Sequence, residues 1–287
     1  MKKDQITFIK WFFSIIAPKW YIKKRFVDRH NFKPNFKNPI RHTEKVVLRK
    51  FNYTKEMSRL SDKISVRDYV KKIIGEKYLV PVYAIINNLT ETAFDNLPNS
   101  FVIKANHGSG YNLIVRDKSN YTYRKLKTIT DTWLKDKYYL IGMELHYKDI
   151  KPRLIVEKLL LNKKGAVPYD YKAHYFKNGN DPKIFIGVHV DRFSDYCYNY
   201  YDKNWKSIKN PWKGEEDFYE DKITEKPVCL DEMLEITKKL AESYNYLRVD
   251  FYIHENKIYF GELTFTPNGG AITFKTKEID ECLGSMW

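Results

Sequence analysis

Alternation along one face and the other is clearest over residues 247–253. Val249, Phe251 and Ile253 fall on one face and Arg248, Asp250 and Tyr252 on the other. Residues 257–264 continue as a second strand after the polar turn 254–256, so the stretch predicts an antiparallel hairpin. Residues 168–176 alternate likewise, with Asp170, Lys172 and His174 on one side, and residues 183–192 make a further strand ending in Asp191 and Arg192. Two apolar runs within 101–115 flank Gly108-Ser109-Gly110, which reads as strand, glycine loop, strand. Residues 154–160 are apolar except at Glu157 and Lys158, the mark of a buried strand, and residues 79–85 read as another.

Helical spacing governs other segments. Residues 61–74 place Val66, Tyr69, Val70, Ile73 and Ile74 on one stripe between Ser61 as N-cap and Gly75 as stop, while Lys63, Arg67 and Lys71 form a basic edge. Residues 128–138 read as helical, and 231–244 as an amphipathic helix. Residues 26–43 read as an irregular connector, and 196–218, rich in tyrosine and tryptophan, as a lid or acceptor-side loop. Interspersed strands and helices of this kind give an α+β fold class.

Composition adds bounds. The 287 residues, 43% apolar, can bury a core in one or two domains. Three scattered cysteines support neither a disulfide framework nor a metal knuckle, and they fit a reducing compartment. The net charge of +15 is uneven: the first sixty residues hold sixteen Lys/Arg against four Asp/Glu. The apolar run 6–17, interrupted by Lys10 and ended by Pro18, is too short to span a bilayer. It reads as an interfacial membrane helix over 4–17 with Trp11, Phe12 and Phe13 at headgroup depth, the alternative being that it packs on the main domain. The expected location is the cytoplasm, peripheral on the inner membrane face.

Candidate chemistry concentrates in the hairpin. Glu262 on the returning strand can come opposite Arg248 and Asp250, which makes two carboxylates and a guanidinium neighbours. Such a set suits Mg²⁺ with phosphate, and the alternative is a salt-bridge ladder on an exposed sheet. The glycine loop lacks the residues of a Walker or dinucleotide fingerprint, yet its backbone N–H groups, Ser109 and Lys104 can face phosphate; a purely structural turn is the other reading.

The order of these motifs resembles the ATP-grasp fold: Lys104 with Gly-Ser-Gly, Ile155 to Leu160, Asp170-Tyr171-Lys172, Arg248-Val249-Asp250-Phe251, and Phe260-Gly261-Glu262-Leu263-Thr264 with Pro267 and Gly269-Gly270. More narrowly, with Ser61 to Val70 and Glu144 to Arg153, residues 38–287 resemble the TupA-like ATP-grasp family associated with teichuronopeptide and capsule or exopolysaccharide synthesis. The resemblance implies two α+β subdomains gripping ATP between antiparallel sheets. They would span 101–160 (glycine loop and hinge) and 161–287 (metal site), after a basic N-terminal segment 1–43 and a helical part 44–100. It implies that Lys104, His107, Gly108, Ser109, Gly110, Glu157, Lys158, Leu159 and Lys172 contact ATP. Asp250 and Glu262 would hold Mg²⁺, with Thr264 where many such ligases carry asparagine, and Arg248, Lys104 and Arg192 would serve catalysis.

The activity so implied is ATP-dependent amide formation between a carboxylate, expected to be a hexuronic acid, and an amino acid or amino alcohol. Arg192, Lys63 and Arg67 are the candidates to bind the acidic sugar. A glycosyltransferase is the rival reading, but the chain has no Asp-x-Asp. Nucleic acid is not an expected partner, because most of the net charge lies outside the residues that carry the chemistry.

Overall fold

The computed structural model describes residues 8, 11–13, 16–190, 197–213 and 224–287. Two antiparallel sheets dominate. The first has the order β1-β4-β2-β3, with β1 at Val82–Ile86, β2 at Phe101–Ala105, β3 at Asn112–Val115 and β4 at Leu154–Glu157. The second has the order β10-β9-β5-β6-β7-β8, from β5 (Asp170–Phe176), β6 (Lys183–Val190), β7 (Cys197–Tyr201), β8 (Ser207–Ile208), β9 (Tyr246–His254) and β10 (Lys257–Thr264). The α+β class with two antiparallel sheets is as the sequence implies.

Alternation decides what each face of the larger sheet meets. Tyr171, Ala173 and Tyr175 of β5 and Leu247, Val249 and Phe251 of β9 join a core with helix α7 (Leu230–Ala241), through Met233, Ile236 and Leu240. The intervening residues of both strands face a cleft. The smaller sheet buries Phe101, Ile103, Val115, Leu154 and Val156 with Leu126 of helix α6 (Tyr123–Lys135).

Several local expectations are corrected. β1 corresponds to the strand read at 79–85 and pairs with β4, so the smaller sheet takes in a strand from the part 44–100. As an edge strand β1 is only half buried, with Tyr83 and Ile85 exposed. Ser61 ends helix α3 (Lys55–Ser61) instead of capping a long helix, and α4 is Val66–Ile73. Between them Asp62 accepts from the Ile64 amide at 2.9 Å and the Ser65 hydroxyl at 2.7 Å, which satisfies donors that a continuous helix would pair internally. Residues 197–201 and 207–208 are sheet strands where a lid loop was expected; the rest of that expectation from 214 on, and position 196, lie outside the described residues.

Helical Ile16 is followed by non-helical Ala17, so the run before Pro18 ends there as expected, and Pro18 starts the next helix. It stands at the first turn of α1 (Pro18–His30), where its missing N–H costs nothing, so the expected connector 26–43 begins as helix. Ile22 and Phe26 are buried against Val47, Leu140 and Met143, and α1 thereby docks on the body of the molecule. The expected interfacial helix over 4–17 falls largely outside the described residues. No helix among the described residues is long and apolar enough to cross a membrane. The remaining helices are α2 (His42–Arg49), α5 (Glu91–Asp95) and α8 (Lys277–Ser285).

Candidate active site

The cleft between the sheets has two connected parts. One, about 390 Å³, is walled by Val80, Val102, Ile114, Leu159 and Tyr252, with Lys104, Glu157 and Arg116 among its polar groups. The other, about 250 Å³, holds Lys63, Ser109, Lys172, Arg248, Asp250 and Glu262. Lys104, Asn112, Asp170, His189 and Tyr252 line both, so one channel runs from the hinge to the carboxylate cluster.

Sheet register builds that cluster. Asp250 is paired across β9 and β10 with Glu262 and across β5 and β9 with Lys172, while Arg248 pairs with Thr264 and His174. A bulge between Phe260 and Glu262 sets the Glu262–Asp250 match, and it occurs at Gly261, where an added Cβ would lie 3.0 Å from the Asp250 carbonyl oxygen. Arg248 donates to both oxygens of Asp250, Nε to Oδ1 and Nη2 to Oδ2, each at 2.7 Å. The same Nη2 reaches Glu262 Oε1 at 3.2 Å and Thr264 Oγ1 at 3.0 Å. Lys172 Nζ donates to Asp170 at 2.7 Å and Asp250 at 2.8 Å.

Burial works against every charge here, and the partners decide the outcome. Desolvation is the largest influence on Lys172 and Arg248 and opposes their charged forms, but the surrounding carboxylates, Asp250 first and then Asp170 for the lysine and Glu262 for both, together raise the two above their ordinary values. For Glu262 burial pushes the carboxyl up, while Lys63 and Arg248 hold it below the usual value. His174 is kept neutral by burial and then by Arg248 and Lys172; its Nδ1 meets the Tyr246 hydroxyl at 2.9 Å.

The hinge end is equally tied. Lys104 Nζ lies 2.6 Å from Glu157 Oε2, and Arg67 holds the other oxygen at 3.2 Å and the Val80 carbonyl at 2.9 Å. Burial lowers Lys104, but Glu157 more than compensates and raises it. Glu157 therefore faces the cleft as an anchor for two cations. The Lys158 amide donates to Pro81 at 2.9 Å and its side chain is exposed; Leu159 is buried and lines the wall.

The glycine loop has a pinned root. A Cβ on Gly108 would strike the Tyr138 ring at 2.5 Å, so only glycine lets the loop lie on that ring. Ser109 and Gly110 are exposed and line the cluster side. His107 does not join them: it is 4% exposed, its ring packs near Tyr111, and it lines neither part of the cleft. Arg192 lies outside the described residues.

Sequence reasoning passed over Asp170 as a partner of Lys172, and also Asn112, Arg116, His189 and Asn268. Asp170 was on the correct face of an alternating strand, a signal that was available; Asn112 and Asn268 are near glycine turns and carry no comparable mark.

A family model described as TupA-like ATP-grasp matches residues 44–287, which hold both sheets and the cleft. The chain belongs to the TupA-like ATP-grasp family. It is also similar to solved structures: a D-alanine–D-alanine ligase from Helicobacter pylori (17% identity, 79% of this chain and 61% of that one, TM-score 0.41); one from Bacillus anthracis complexed with ATP (16%, 73% and 57%, 0.41); and a Chryseobacterium gregarium RiPP-associated ATP-grasp ligase with ADP and a leader and core peptide (14%, 81% and 60%, 0.39). The chain thus spans between half and about three fifths of the length of the first structures it matches, 61%, 51% and 55%. No curated protein matches it.

A divalent cation in this TupA-like chain must fit the donor set. Both Asp250 oxygens are held by cations, Glu262 Oε1 by Arg248, and Thr264 Oγ1 donates to Glu262 at 3.2 Å. The loosest oxygen is Glu262 Oε2, 3.6 Å from Lys63 Nζ. Among the described residues no cluster of three or more His, Cys, Asp or Glu could hold a metal alone. Mg²⁺ that arrives with phosphate oxygens, which supply ligands and offset charge, would take Glu262 Oε2 first, and Asp250 in exchange for one of its bonds to Lys172 or Arg248. Thr264 supports Glu262 from behind.

Proposed function

We propose that this TupA-like ATP-grasp protein is an ATP-dependent carboxylate–amine ligase. The observation that carries the reading is the Lys172–Asp250–Arg248–Glu262 cluster at the end of a cleft of nucleotide size. In this reading Leu159, Val102, Ile114 and Tyr252 enclose the base, and Lys104, anchored by Glu157, meets the phosphates midway. Ser109 and the exposed glycine tip cover them and exclude water.

A substrate carboxylate oxygen attacks the γ-phosphorus, the bond to the bridging oxygen breaks, and ADP leaves. An amine then attacks the acyl carbon, the C–O bond to phosphate breaks, and phosphate departs with a proton released to solvent. Arg248 and Lys172 hold their charge at all working pH values, so they neutralise the transferring phosphoryl group without proton exchange. Bound Mg²⁺ supplies further charge neutralisation at the phosphates.

The carboxylate is read as a hexuronic acid, and the amine as an amino acid or amino alcohol, in surface-polysaccharide synthesis. The support is the family and the basic first sixty residues, which suit an acidic sugar or a lipid-linked intermediate at an anionic membrane face. The test is ADP release from Mg-ATP with hexuronic acids and UDP-uronates crossed against amino acids and amino alcohols, beside Asp250→Asn and Glu262→Gln. Release that needs both carboxylate and amine, and that both variants abolish, supports the ligase; sugar-nucleotide hydrolysis without ATP supports a glycosyltransferase instead.

A further inference from the structure

Behind the carboxylate cluster lies a second cavity that the reaction above does not use. It measures about 510 Å³ and is walled by α1 on one side and by the turns 141–143 and 268–271 on the other. Helix α1 precedes the region that the family model matches, so this wall is not part of that match.

Its charges are one-sided. Arg25 Nη1 donates to the Ile141 carbonyl at 3.1 Å, Arg29 Nε to the Ala271 carbonyl at 2.7 Å, and Lys50 Nζ to the Gly142 carbonyl at 2.8 Å. These partners are neutral, and among the described residues none of the three cations has a carboxylate within ion-pair distance. The one carboxylate in the lining is Asp28, which is exposed. Buried Glu144 answers the Lys50 charge in part; its Oε1 accepts from the Thr266 hydroxyl at 2.6 Å and its Oε2 from the Tyr138 hydroxyl at 3.5 Å. The remaining guanidinium N–H groups of Arg25 and Arg29 are two-pronged donors of the kind that fit phosphate or carboxylate oxygens.

The cavity also touches the reaction cleft. Asn268 lines both, and the segment between them is one turn in which Asn268, Gly269 and Gly270 all have left-handed backbones (φ 48°, 59° and 69°). A substrate lying across this turn can place one end among Arg248 and Glu262 and the other against α1.

We propose that this cavity is an anion subsite which holds a phosphate or carboxylate group of the substrate, with Arg25 and Arg29 as its specificity-determining residues. It rests on the ligase reading only in assigning the anion to the substrate of that reaction.

The test uses the full chain saturated with AMP-PNP and Mg²⁺, so that the nucleotide site is closed to other anions. Inorganic phosphate, glucuronic acid and UDP-glucuronate are titrated separately by calorimetry. At least one should bind, and the dissociation constant should rise tenfold or more in Arg25→Gln/Arg29→Gln and fall in Asp28→Asn, which removes the opposing charge at an exposed position. Selective binding of UDP-glucuronate identifies a phosphate anchor, and equal binding of glucuronic acid a carboxylate anchor. Retained AMP-PNP affinity in each variant establishes that the fold is intact.

If none of the three anions binds, or if affinity is the same in all variants, the subsite is overturned. Should AMP-PNP itself not bind to the wild type, the ligase reading fails instead; in that case phosphate titrated alone still decides the subsite by the same variants.

Discussion

The Lys63 ammonium donates to the Gly108 carbonyl at 2.6 Å and so ties the root of the glycine loop to the segment before α4. The same nitrogen lies 3.6 Å from Glu262, which links loop position to the carboxylate cluster. Hydrogen bonds to charged groups contribute about 1.5–3 kcal/mol. Lys63→Met should therefore weaken AMP-PNP binding by about tenfold or more, read by calorimetry. An unchanged affinity would show that the loop keeps its position without Lys63.

Arg248 and Asp250 form a buried two-pronged pair, and removing one member strands the other's charge. Arg248→Met should cost about 3–5 kcal/mol of stability in urea unfolding. Combining it with Asp250→Leu should cost less than the sum of the two single changes, since Lys172 still has Asp170. Strict additivity would mean that the pair is not coupled.

Because the carboxylates of the cluster are already matched by cations, Mg²⁺ without nucleotide should give no binding heat. Thr264 is held between Arg248 and Glu262 and acts as a support. Thr264→Ala should raise the Mg²⁺ concentration needed for ADP release by about tenfold, at the low end for groups behind a ligand. Glu262→Gln should abolish saturation by Mg²⁺. A larger effect from Thr264 than from Glu262 would make the threonine the ligand.

Three buried histidines predict acid lability. Burial, reinforced by neighbouring cations, lowers His42 and His174 well below 6.5 and His146 to about 3. The unfolded chain takes up these protons near pH 6.5 and the folded one does not, so the stabilising contribution is full above pH 6.5. It declines as pH falls, for His146 down to about 3. Each group contributes a slope of up to about 1.4 kcal/mol per pH unit. Urea unfolding at pH 7.5 and pH 5 should show the loss, and His146→Gln should reduce it.

How much was legible follows from range. Arg248, Asp250 and Tyr252 share a face because a strand repeats every two residues, and Lys172 shares one with Asp170 for the same reason. Helix limits were less legible: Asp62 satisfies backbone donors locally and splits the segment 55–73, an outcome that apolar spacing does not register.

The sequence by itself determined the alternating faces of the strands, the glycine loop and which charged residues share a strand face, since each depends on neighbours a few positions apart. Only the tertiary structure decided that Glu262 falls opposite Asp250 through a bulge, that Arg67 and Lys104 share Glu157, that His107 turns inward, and that α1 closes a basic cavity over Lys50. Those outcomes join segments far apart in the chain, and they depend on which surfaces bury best against one another, a quantity that no local pattern contains.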